Sequence, residues 1–189
     1  MKPSTADFIL RKVLGWHPEP NFPKNGKALI LGVPHTSLWD FVIAFLYARS
    51  KQADIHILVK DKFFFWPVAS LLRSWGALPM KSGKEGGANA ALQMVEAFKA
   101  YDNILMGIAP EGTRKPVKRW KTGYHTIAKR AGVPVYAGVI DWKKKYVSYG
   151  EIFPLTDDAR ADTLRLQKHY RDLGVGARHP DNFVFEDGV

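Results

Sequence analysis

The chain contains no cysteine. Disulfides, thiolate metal sites and a cysteine nucleophile are therefore excluded, a lack that suits the cytosol. Long apolar runs are missing too. FVIAFLYA at 41–48 spans eight residues, against the roughly 18 that a membrane-crossing helix needs. FILRKVLGW near the N-terminus is too short and too interrupted for the apolar core of a secretory signal. There is no internal repeat and no low-complexity tract. Acidic residues are scarce beside basic ones: 18 Asp and Glu stand against 28 Lys and Arg, a net charge of +10. Such a charge favours anionic partners, among them phospholipid head groups, phosphorylated small molecules, an acidic carrier or nucleic acid.

What is present describes an ordinary folded protein. The 189 residues, 46% of them hydrophobic and 24% charged, suit one domain with a real core. The spacing predicts a short helix over 5–15, with Phe8, Ile9, Val13 and Leu14 on its apolar side. HPEPNFPKNG (17–26) is turn-rich and reads as irregular. KALILGV (27–33) reads as a buried strand and 38–50 as a helix. IHILVK (55–60) is a second strand, and 63–75 an apolar helix broken at Pro67. A short strand (76–80), a helix (86–100) and another buried strand (103–110) follow. Residues 123–132 read as a helix closed by Gly132, 133–141 and 145–153 as a strand pair, and 157–174 as a terminal helix. Short strands alternating with helices predict a single α/β domain over 1–189, its mainly parallel or mixed sheet flanked by helices. The motif-bearing core covers about 28–153. Reactive loops of such sheets lie beyond the carboxyl ends of strands, where both His35 and Glu111 fall.

VPHTSLWDF (33–41) carries the first motif. Ser37 to Asp40 spells S-x-x-D before an apolar run, the signature of a helix capping box. The same stretch sets His35 five residues before Asp40. Five residues inside a helix turn through 500°, so the two side chains would point apart. They meet only if His35 lies upstream of the cap and the chain bends between them. Asp40 can then cap the helix and also orient an imidazole that removes a proton from a hydroxyl.

APEGTRK (109–115) is the second. Gly112 permits close backbone approach, and Arg114 can grip a phosphate with two parallel hydrogen bonds. Lys115, Lys118, Arg119 and Lys121 extend the positive field. The plainer alternative is a solvated turn with a Glu111–Arg114 ion pair.

H-x-x-x-x-D about 70 residues before P-E-G-T-R resembles the lysophospholipid and glycerol-phosphate acyltransferase family over most of 28–140. WGALPMK (75–81) sits where that family has a glycine, a short strand and usually arginine; Lys81 occupies the basic position. VPVYAG (133–138) matches the family's later Val-Pro-Val segment. Pro34 stands where the family usually has asparagine, and Ala109 where it has phenylalanine. Lys81 offers a point charge in place of a forked guanidinium.

The resemblance implies a glycerol-phosphate acyltransferase-like fold. It implies transfer of a fatty acyl group from an acyl thioester, acyl-CoA or acyl carrier protein, to the hydroxyl of a lysolipid such as lysophosphatidic acid. His35 would be the general base and Asp40 its orienter. Lys81, Glu111, Gly112, Thr113 and Arg114 would bind the acceptor's phosphate region, with Glu111 orienting Arg114 or the acceptor's hydroxyls. Backbone N–H groups around Gly112 and Thr113 are candidate donors to the oxyanion. No metal and no cofactor beyond the co-substrate is expected. FFFWP (63–67) and FVIAFLYA are candidates for the acyl groove, for a membrane-facing patch or for core. Without a spanning helix, the expected location is cytoplasmic, peripheral on an anionic membrane surface.

Two other classes compete. A hydrolase would use His35 to activate water on a thioester or ester. A non-catalytic basic module binding anionic lipid or nucleic acid would account for the charge alone. Nucleic-acid binding calls for exposed aromatics interleaved with a basic stripe, whereas the aromatics here cluster in apolar segments, so no nucleic-acid partner is expected.

Overall fold

A strand buried on both faces, Lys27–Leu31, organises the molecule. The structure, a computed structural model, describes residues 1–23, 26–53, 55–80 and 86–189. In chain order, α1 (Pro3–Phe8) runs into a π-helical turn over Ile9–Val13, followed by β1 (His17–Pro18), β2 (Lys27–Leu31) and α2 (Leu38–Ser50). Next come β3 (Ile55–Lys60), a single 3-10 turn (Asp61–Phe63), α3 (Val68–Ser74), β4 (Ala77–Met80) and α4 (Gly86–Ala100). The remainder is β5 (Ile104–Ile108), α5 (Gly123–Ala131), β6 (Val135–Tyr136), β7 (Val139–Asp141), β8 (Tyr146–Ser148), α6 (Ala159–Asp172) and a 3-10 turn at Pro180–Asn182.

The main sheet has the order β4-β3-β5-β2-β6, and all its pairings are parallel. A smaller sheet, β1-β8-β7, packs beside it. Side chains of β2 alternate as a strand demands. Leu29 and Leu31 join Met94, Phe98, Met106, Ile127, Leu166 and Tyr170, the core under α4, α5 and α6. Ala28 and Ile30 face the other way, with Leu105 and Ala53. A third cluster, including Leu10, Trp16, Ile43, Leu46 and Val147, binds α1 and α2 to the smaller sheet. Each fully buried large side chain stabilises by about 1.5–3 kcal/mol.

The α/β class and the parallel sheet are as the sequence predicts, and three local expectations change. The buried face of the first helix carries Ala6 and Leu10, while Phe8 and Val13 are exposed. Ala6 and Leu10 are four residues apart and share a face, and of the expected stripe Ile9 and Leu14 pack, partly buried, against the same cluster. His17 and Pro18, read as irregular, pair in parallel with Tyr146 and Val147. Residues 133–141 are not one strand. Val135 and Tyr136 extend the main sheet beside β2, whereas Val139–Asp141 pairs antiparallel with β8 in the smaller one. Gly138 makes that transfer possible, because a Cβ there would lie 2.4 Å from the Leu31 carbonyl oxygen.

Because the main sheet is wholly parallel, the loops after β2, β3 and β5 leave from one edge. Residues 32–37, 61–67 and 109–114 therefore converge there. Among the described residues, no helix is long and apolar enough to cross a membrane.

Candidate active site

The turn after β2 brings His35 to this edge, and the start of α2 fixes it. Ser37 is the helix cap, its Oγ accepting the Trp39 N–H at 3.2 Å. Asp40 completes the capping box: its Oδ2 accepts the N–H groups of Thr36 and Ser37, both at 2.7 Å. Its other oxygen, Oδ1, accepts the Trp142 indole N–H at 2.7 Å. The Asp40 residue is only 1% exposed, so these three donors offset the loss of water around the charge.

The imidazole of His35 is half-buried. No hydrogen bond joins it to Asp40 among the described residues, so the carboxylate reaches it through its field alone. Burial lowers the His35 pKa, Asp40 pulls it up and the Arg114 guanidinium lowers it further. The net direction is down, which leaves a neutral imidazole able to take a proton near pH 7.

Glu111 ties the second motif to the first. Its Oε1 accepts the His35 backbone N–H at 2.8 Å. The residue is 5% exposed, and Oε2 is buried with no partner among the described residues. Burial pushes the Glu111 carboxyl up to about 7, with its backbone hydrogen bonds pulling down and Asp40 adding to the rise. Glu111 points inward, and among the described residues no ion pair joins it to Arg114, which is exposed. Gly112, at φ +65°, turns the chain between them. A Cβ there would sit 2.7 Å from Lys121 Cδ, so the lysine stem lies across the glycine.

The Gly112 N–H donates to the Ala109 carbonyl at 3.1 Å. Thr113 Oγ1 closes the turn by accepting the Lys115 N–H at 3.1 Å. The Thr113 N–H carries no intramolecular hydrogen bond among the described residues. Lys81 lies outside the described residues.

A cavity of about 540 Å³ opens at this edge. His35, Asp40, Gly112, Thr113 and Arg114 line its polar part, and Ile30, Phe41, Phe45, Ile57, Met80 and Met94 line much of the rest. Such a shape suits a ligand with a long apolar tail and a charged end. FVIAFLYA thus supplies the wall, through Phe41, Ala44, Phe45 and Tyr47. FFFWP supplies neither wall nor core. Phe63 and Phe65 are exposed and Trp66 is 89% exposed, on the loop leaving β3 at the same edge, with Lys60 and Lys62 beside them. His125 is structural: it is buried and its Nε2 lies 3.0 Å from the Thr156 carbonyl oxygen.

Sequence reasoning missed Trp142, which sits in what reads as a polar turn 102 residues from Asp40. It also missed the Glu111–His35 backbone bond, which nothing in either motif announces.

With this geometry in view, comparison with known proteins is informative. The family model described as Acyltransferase matches residues 15–141. No curated protein sequence matches the chain. Among solved structures, the chain resembles the 1-acyl-sn-glycerophosphate (LPA) acyltransferase PlsC of Thermotoga maritima, with a TM-score of 0.53 and 13% identity over 93% of this chain and 84% of that one. That likeness is one of fold, and the family match covers well over half of the chain, both His35–Asp40 and Glu111–Arg114 included. The chain belongs to the Acyltransferase family and is an acyltransferase.

Proposed function

We propose that the protein moves a fatty acyl group from an acyl thioester, on coenzyme A or an acyl carrier protein, to the hydroxyl of a lysolipid carrying phosphate, such as lysophosphatidic acid. The observation that carries this reading is the apolar cavity opening on His35, with the Arg114 guanidinium at its mouth. The fold shared with PlsC, a 1-acyl-sn-glycerophosphate (LPA) acyltransferase, supports it.

The acyl chain lies along Phe41, Phe45 and Met94, and the thioester carbonyl faces His35. The acceptor's hydroxyl oxygen attacks the carbonyl carbon as its proton passes to the neutral His35 imidazole. The C–S bond then breaks, and the imidazolium returns the proton to the departing thiolate. Asp40 stabilises the imidazolium by its charge. The Thr113 N–H is the available backbone donor for the oxyanion. Arg114 holds the acceptor's phosphate.

Acceptor and product are amphiphiles, and we assign the enzyme to the cytoplasmic face of an anionic membrane. Phe63, Phe65 and Trp66, with Lys60 and Lys62, form the contact. Aromatic side chains favour the membrane interface, and each basic residue near an anionic surface contributes about 1 kcal/mol.

The test is thioester consumption by the purified protein with acyl-CoA and acyl carrier protein donors, against a panel of lysolipids, with mass analysis of products. An acylated lysolipid is expected. Release of free fatty acid regardless of acceptor would identify a hydrolase instead.

A further inference from the structure

The segment after α6 lies outside the residues matched by the family model, yet it returns to the active edge. The Trp142 N–H donates to the Gly176 carbonyl at 2.8 Å, the Gly176 N–H to Asp141 Oδ1 at 3.2 Å, and the His179 N–H to Thr36 Oγ1 at 3.3 Å. Between these anchors stands Arg178. Its guanidinium carbon lies 4.8 Å from the centre of the Trp142 ring and 5.2 Å from that of Trp39. Trp39 is the residue before Asp40, and Trp142 is hydrogen-bonded to Asp40.

We propose that Arg178 is a phosphate-binding side chain on the rim of this active site, held ready by two indole faces. The proposal rests on the acyl-transfer reading for its substrates. Stacking occupies the faces of the guanidinium and leaves its in-plane N–H donors directed outward, the fork that suits a phosphate. Arg178 is exposed, and among the described residues no carboxylate pairs with it. Arg11, Arg160, Arg165 and Arg171 each have such a partner. Two aromatic contacts restrict a long cationic side chain, without neutralising it, beside the tryptophan that is hydrogen-bonded to Asp40.

Topology sets Arg178 opposite Arg114. At the end of β2, the Gly32 N–H bonds to Ile108 of β5, while the Val33 carbonyl accepts the N–H of Ile140 in β7. The loop of Arg114 follows β5 and that of Trp142 follows β7, so Arg114 and the Trp142 ring on which Arg178 stacks lie on opposite sides of the turn that carries His35. Acyl transfer from either donor joins two phosphate sources at this point. One is the acceptor's head group, the other the phosphate of the donor's pantetheine arm.

Two soluble probes separate them: glycerol 3-phosphate carries the acceptor's phosphate and 4'-phosphopantetheine the donor's. Each is titrated calorimetrically into the wild-type protein and the Arg178→Ala, Arg178→Lys and Arg114→Ala variants. Arg178→Ala is expected to weaken one probe at least about tenfold, and Arg178→Lys to restore part of that. The probe affected names the source. Equal binding to wild type and Arg178→Ala, or binding of neither probe to wild type, overturns the proposal. In steady state, KM for the matching substrate rises while kcat stays within about twofold. A fall in kcat with both KM values unchanged would mean that Arg178 merely braces Trp142, which also overturns it. Should Arg178→Ala fold poorly, Arg178→Lys decides on the same readouts. Should the wild type transfer no acyl group, the function proposed above fails while the titration still judges Arg178.

Discussion

The Trp142 indole N–H and the two backbone N–H groups of Thr36 and Ser37 leave Asp40 with both oxygens occupied. The carboxylate is thus helix cap, anchor for a distant loop and electrostatic partner of His35 at once. Asp40→Asn separates these parts. An amide oxygen still serves the backbone donors, but its NH2 then meets the Trp142 N–H, donor against donor. A stability loss of about 1–3 kcal/mol follows from the unmade buried bond. Turnover per folded molecule should drop at least about a hundredfold, within the range of general-base catalysis. His35→Ala should fall as far, and the double variant little further. Normal turnover of the folded Asn variant, read beside its denaturation midpoint, would leave Asp40 with the cap alone.

Trp142→Phe tests the anchor separately. It keeps the ring but strands Asp40 Oδ1, so stability should fall by about 1–3 kcal/mol. Urea midpoints check this, and equality with wild type would contradict the 2.7 Å bond.

Glu111 gives stability an unusual pH dependence. Its folded pKa of about 7 lies above the ordinary 4.5. Between these values the folded state keeps a proton that the unfolded state has released. The contribution is therefore full below about pH 4.5 and lost as pH rises through 7, amounting to about 3 kcal/mol. Glu111→Gln can still accept the His35 N–H and carries no charge. The variant should equal or exceed wild type in stability at pH 8, and its advantage should vanish at pH 5. Chemical denaturation across that interval would contradict the burial of Glu111 if the two curves stayed parallel.

Activity should show its own acid limb. A depressed His35 pKa means that kcat/KM falls only below the ordinary histidine range, as the free base becomes protonated. The profile is best recorded with Glu111→Gln beside wild type, since the variant lacks the second titrating group. An acid limb centred above 7 in that variant would remove His35 as the base.

Membrane contact is measured by co-sedimentation. Trp66→Ala with Phe65→Ala should reduce binding to anionic vesicles, and high salt should weaken the wild type by screening its basic residues. Equal binding to neutral and anionic vesicles, at any salt, would remove the electrostatic part.

Both chemical motifs were legible because each is local. The S-x-x-D cap is complete within four residues, and the turn that reverses Glu111 against Arg114 is set by one glycine. The partition of 133–141 between two sheets was not legible, since Gly138 signals it only through the Leu31 carbonyl that it approaches. The inward face of the first helix was legible in half: Ile9 and Leu14 pack inward beside Ala6 and Leu10, whereas Phe8 and Val13 are exposed. Trp142 and Arg178 escaped for another reason: indole N–H donation and cation stacking have no spacing pattern along the chain.

The position of β2 has a consequence for synthesis. This early strand is flanked by β5, at 104–108, and β6, at 135–136. Its neighbours therefore leave the ribosome about a hundred residues later for β6, and somewhat earlier for β5. Until then Leu29, Ile30 and Leu31 form an unpaired apolar edge of the kind that invites wrong pairing or aggregation. The β3–β4 pair, separated by only a 3-10 turn and one short helix, can form well before. Strand order alone thus sets a window during synthesis in which β2 has no neighbour.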